Sequence, residues 1–146
     1  DIRCVRWTKA CIAAGIFGVA LLTRVAGSAL LANEGRARAY VALIKETAAI
    51  ARAEGGETGN LERFPPIRTY VDRPADESVR SLVAASSAAD DGLAPPPSML
   101  QDLLAGRSLE VEEVFGDLVR RAQRNGVSGP RLELVTELLR GVGPQP

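Results

Sequence analysis

From Ala10 to Leu22 the chain runs through apolar residues without interruption, bounded by Lys9 on one side and Thr23-Arg24 on the other. A membrane span needs about 20 such residues. The run is shorter than that, so it predicts a buried helix through the middle of one domain, over residues 3–23. Within it Ala10, Ala14 and Gly18 recur every four residues, a small-residue stripe along which a second helix can approach closely.

The remaining segments also carry helical periodicity. Val25 to Asn33 reads as a short helix or turn. Arg36 to Glu54 is amphipathic, with Tyr40, Leu43, Ile44, Thr47 and Ala51 on one face, and Gly55-Gly56 ends it. Residues 56–73, with Gly, Asn and the Pro65-Pro66 pair, read as an irregular connection. A helix follows from Pro74 to Ala85, with Val79, Leu82 and Val83 inward and Asp76 placed to pair with Arg80. Ser86 to Pro97 reads as a linker whose three final prolines are stiff and extended.

Ser98 and Gln101 form a capping-box pattern, so Ser98 is predicted to cap a helix ending near Gly106. A further helix is predicted from about Ser108 to Asn125, with Glu110 in its first turn and Val111, Val114, Leu118 and Ala122 inward. Pro130 suits the start of a last helix to Arg140, with Leu132, Val135, Leu138 and Leu139 inward, and the tail after it is expected to fray. No alternating strand pattern of useful length occurs. The predicted fold is all-α, one domain over residues 1–146 with six or seven helices.

Several function classes fall away on composition. The chain has 18 basic and 18 acidic residues, so no nucleic-acid or membrane-surface partner is expected. Histidine is absent, which removes Ser-His and Cys-His catalysis and the commonest metal ligand. Cys4 and Cys11 lie too far apart on one helix for a disulfide and lack a metal-type spacing; they read as free thiols of a cytoplasmic protein. No glycine-rich phosphate loop follows a strand, so no dinucleotide site is visible within the chain. The start at Asp1, without initiator methionine, signal peptide or basic presequence, is that expected of an excised domain.

A few residues can carry chemistry. Only Lys9 and Lys45 are lysines. Lys9 sits near Trp7 at the lip of the most apolar helix; burial there would make it a proton donor near neutral pH, while a helix-end lysine can equally extend its head to water. Glu110 and Glu46 each fall at the edge of an apolar helix face, where a structural or a binding role is open. Arg120, Arg121 and Arg124 read as a solvated basic face.

The stretch PSMLQDLLAGRSLEVEEVFGDLVRRAQRNGVSGP, with Ser98 and Glu110 twelve positions apart, resembles the C-terminal domain of the ketopantoate reductases (2-dehydropantoate 2-reductases). DIRCVRWTK, with its lysine two residues after the tryptophan, and KETAAIARAEG are similar to the same family, and the resemblance spans the chain, weakest between Glu57 and Ala94. It implies a two-domain enzyme whose upstream Rossmann domain binds NADPH while this domain closes over a 2-oxo acid. By that resemblance Lys9 is the proton donor, Glu110 holds the substrate's hydroxyl and Ser98 contacts the substrate, with Glu46 in a less direct role. A homodimer is compatible with it. Where the family carries asparagines this chain has Ala13, Phe17, Gly27 and Phe115, which implies a more apolar pocket and a substrate other than ketopantoate. The competing expectation is a non-catalytic helical module, for dimerisation or ligand binding, related to that family.

Overall fold

The computed structural model describes residues 1–90 and 95–143. Among them every regular element is helical: α1 (Ile2–Thr23), α2 (Ser28–Leu31), α3 (Glu34–Ala53), α4 (Ile67–Asp72), α5 (Ala75–Ala88), α6 (Ser98–Leu104), a π-helical turn (Glu112–Gly116) running into α7 (Asp117–Arg124), and α8 (Pro130–Arg140). The all-α expectation holds. Part of the expected linker, residues 91–94, and the end of the expected frayed tail, residues 144–146, lie outside the described residues.

The apolar run becomes the central helix. Asp1 caps α1 by accepting from the Arg3 amide at 2.9 Å, and the helix ends where Arg24 turns left-handed at φ 57°. With mean hydropathy 1.5 over its most apolar window, α1 is long and apolar enough to cross a membrane, but 56% of that window is buried inside the domain. It packs chiefly on α3 and also touches α4, α6 and α8. Small residues permit that approach. A Cβ on Gly15 would stand 2.5 Å from the Tyr40 ring, and one on Gly18 would stand 2.9 Å from Leu43. The stripe residues Ala14 and Gly18 are buried as expected; the closest approach, however, falls on Gly15 beside the stripe.

α3 buries Tyr40, Leu43, Ile44, Thr47 and Ala51, the predicted face, and Asn33 caps it by accepting from the Arg36 amide at 3.1 Å. Arg36 then reaches back to the carbonyls of Leu30 and Ala29, at 2.9 and 2.8 Å, and fixes the end of α2. These are α2's orphan carbonyls, so the bonds hold an otherwise marginal single turn in place.

Four expectations are corrected. Helix α4 lies inside the stretch read as irregular, with Ile67, Tyr70 and Val71 buried; Lys45 donates to the Val71 and Arg73 carbonyls at 2.6 Å each and closes its C-terminal end. Desolvation there lowers the Lys45 ammonium below its ordinary value, with the Arg52 charge adding to it. Asp76 pairs with Arg38 of α3 at 2.7 Å, across elements, where pairing within α5 was expected. On α8 the inward residues are Leu132, Thr136 and Leu139, while Leu138 is 49% exposed. The helix expected from Ser108 starts at Val111 and opens with the five-residue π-helical turn.

Candidate functional site

One cleft of about 480 Å³ gathers most of the residues that the sequence singled out. Lys9, Ala13 and Phe17 follow one another at a four-residue spacing on α1, so they share one face. Gly27 lies at the turn into α2, where its φ of 65° suits a residue without a side chain. Ser98 closes the cleft from the start of α6. The rest of the wall is apolar: Ile12 and Ile16 from α1, Leu30 from α2, Phe64 from the loop before α4, and Pro95 and Pro97 from the segment before α6. Among the described residues that line it, only Lys9 and Ser98 have side chains with hydrogen-bonding groups. Such a site grips an apolar body by its walls and orients it by a few placed polar groups.

Ser98 does not cap its helix. The N-cap is Pro97, with the extended φ −54° and ψ 146° expected of the proline run, and no side chain caps the helix. Gln101 turns outward instead and donates to the Pro96 carbonyl at 2.7 Å. The Ser98 side chain is exposed and spends its hydroxyl on no hydrogen bond among the described residues, which leaves it available to a ligand.

Lys9 is exposed as well, contrary to the buried alternative, and is engaged in no ion pair or hydrogen bond among the described residues. Trp7, two residues earlier, points elsewhere. Its ring lies against Gly56 and beneath the Arg121 guanidinium, 5.8 Å from the centroid. Arg121 also pairs with Asp117 and Glu54 at 2.7 Å each, so it is a tertiary tie between α7 and the end of α3 where a solvated basic face was expected. These two carboxylates, Asp117 foremost, hold the guanidinium above its ordinary pKa.

The other candidates stand apart. Glu110 precedes the helix, offers its backbone carbonyl to the Val114 amide at 3.2 Å and is exposed; it does not line the cleft. Glu46 accepts from the amides of Arg131 and Leu132, at 3.2 and 2.8 Å, and thereby caps α8. Gly129, the N-cap of α8, has no side chain to do so, and the Glu46 carboxylate of α3 meets the positive end of the helix dipole. Phe115 is wholly buried, close to Gly18, and so belongs to the core; the apolar character of the cleft comes from Ala13, Phe17 and Gly27. Phe64 was missed. The only hint in the sequence is an aromatic residue set among polar and glycine residues directly before two prolines.

The cysteines are free, as expected. Cys11 is buried and its thiol is pushed up to about 12 by desolvation, while Cys4 is half-buried. Among the described residues no group of three His, Cys, Asp or Glu side chains converges on a metal-sized site.

Residues 1–143 match the family described as ketopantoate reductase PanE/ApbA C terminal. The chain belongs to the ketopantoate reductase family, as one of its C-terminal domains. It is 30% identical over 120 residues to a 2-dehydropantoate 2-reductase of Caulobacter vibrioides, covering 82% of this chain and 34% of that protein. A solved 2-dehydropantoate 2-reductase from Methylococcus capsulatus superposes with a TM-score of 0.66 at 27% identity, over 96% of this chain and 42% of that one. A D-mandelate dehydrogenase solved with NADH shares the fold at TM-score 0.71 and 22% identity, over 97% of this chain and 42% of that one. The chain thus spans about a third of the length of the curated relative and about two-fifths of the solved ones.

Proposed function

We propose that this chain is the substrate-binding and catalytic domain of a cytoplasmic, NADPH-dependent 2-oxo-acid reductase that works with an upstream Rossmann domain. The observation that carries the proposal is the convergence of Lys9 and Ser98, from distant parts of the chain, on one otherwise apolar cleft. The described residues include neither a strand nor a phosphate-binding glycine loop, so NADPH fits only if another domain holds it at the rim of the cleft. When bound there, the nicotinamide supplies a hydride to the carbonyl carbon.

This chain's own part is to orient the acid and manage one proton. Lys9 Nζ donates a proton to the carbonyl oxygen as that oxygen gains charge, and the Ser98 hydroxyl holds the acid in register. Lys9 is open to solvent in the isolated domain; closure by the cofactor domain is what would exclude water from around it. The apolar walls favour an acid less polar than ketopantoate, and a homodimer is the assembly we expect.

Glu110 favours a second reading. A carboxylate meant to hold a substrate hydroxyl lies outside the cleft lining, as it would in a ligand-binding module without turnover. Substitution of Lys9 by alanine in the two-domain protein separates the readings. A placed proton donor contributes about 10² to 10⁴ in rate, so kcat falls at least a hundredfold while NADPH affinity is kept. Turnover near that of the wild type removes Lys9 from the mechanism.

A further inference from the structure

Phe64 is a large aromatic side chain left 49% exposed at the mouth of the Lys9–Ser98 cleft. Its backbone is held in place. The Phe64 amide donates to the Leu61 carbonyl at 3.3 Å, closing a turn in which Arg63 takes the left-handed φ of 65° that usually falls to glycine. Pro65 and Pro66 follow at once and restrict the chain on the other side. The loop is also tied to α1 next to the proposed proton donor, because the Gly59 amide donates to Thr8 Oγ1 at 2.8 Å. A conformation strained for a non-glycine residue persists only where its surroundings over-determine it. Here it presents an aromatic face to a cleft when burial in the core would be the ordinary fate of a phenylalanine.

The same cleft is lined by Phe17, Ile16 and Leu30, none of which can pair with a hydroxyl. Glu110, the carboxylate suited to a substrate hydroxyl, is not part of the lining. Lys9 and Ser98 suffice for the carbonyl and carboxylate oxygens of a 2-oxo acid, and beyond them the described lining residues offer apolar contact. We propose that Phe64 is a specificity-determining residue of this site, and that the substrate is a 2-oxo acid carrying an aromatic or comparably bulky apolar group, without a hydroxyl, on its carbonyl carbon. The inference rests on the reductase reading above. Phe64 and Phe17 flank that group, and an aromatic ring between them gains stacking as well as burial.

The test compares phenylglyoxylate, ketopantoate and pyruvate as substrates of the two-domain protein, in the wild type and in the Phe64→Ala and Phe64→Leu variants. The wild type prefers phenylglyoxylate to ketopantoate in kcat/KM. Phe64→Ala lowers kcat/KM for phenylglyoxylate about tenfold or more and leaves pyruvate within about twofold, with Phe64→Leu in between. Thermal melts of the variants confirm that both fold. Equal losses on phenylglyoxylate and pyruvate, no loss on either, or a wild-type preference for ketopantoate overturns the role of Phe64 while leaving the reductase intact. A wild type that reduces none of the three acids overturns the reductase reading and this inference with it.

Discussion

The backbone amide of Leu132 donates to the Glu46 carboxylate at 2.8 Å, so a side chain of α3 caps the N-terminus of a helix 86 residues away. Helix caps ordinarily come from the residue next to the helix, and Gly129 cannot serve. Glu46 therefore holds α8 against α3 and works at a distance from the cleft. Glu46→Ala is expected to cost about 1–2 kcal/mol of stability, the upper part of the range for a lost cap. Urea unfolding measures it, and kcat in the two-domain protein should hardly change. A variant as stable as the wild type with impaired turnover would place Glu46 in the chemistry instead.

Ser98 gives the opposite expectation. A serine that caps a helix costs about 1 kcal/mol when replaced by alanine, but here Pro97 is the N-cap and no side chain bonds to the helix start. Ser98→Ala should therefore leave stability within about 0.5 kcal/mol of the wild type. If the hydroxyl contacts the acid, kcat/KM falls about tenfold, the scale of one hydrogen bond. A loss of stability comparable to that of a missing cap would return Ser98 to a structural role.

Local signals made most of the fold legible, and tertiary ones account for the rest. Apolar periodicity locates α1, α3 and α8, because a continuous stripe has to be buried whatever it packs against. The shared face of Lys9, Ala13 and Phe17 follows from helical spacing alone, and it is that face which lines the cleft. Helix α4 was hidden because its six residues follow two prolines, and what stabilises it is burial of Tyr70 and two capping bonds from Lys45 on another helix. Phe115 was misread for the same reason. Sequence places it five residues after Glu110, at a position expected to make the pocket more apolar, whereas packing against Gly18 takes it into the core. Phe64 escaped because its role depends on which wall the loop lies against, and nothing in residues 56–66 encodes that contact.

Cys11 makes stability depend on alkaline pH. Its thiol, buried near the Ile44 carbonyl at 3.7 Å, is pushed from an ordinary 9.0 up to about 12, chiefly by desolvation and opposed by the Arg52 charge. The folded pKa is raised above the unfolded one, so the contribution is complete below pH 9 and is lost as pH rises from 9 towards 12. In that window the unfolded chain sheds a proton that the folded chain keeps, and folding loses about 1.4 kcal/mol by pH 10. Tyr40, whose buried hydroxyl is also raised by desolvation, acts in the same direction only at higher pH. Urea midpoints at pH 8 and pH 10 should accordingly fall more steeply for the wild type than for Cys11→Ala, and native Cys11 should resist alkylation. Parallel pH slopes for the two proteins would mean that Cys11 titrates as an ordinary exposed thiol.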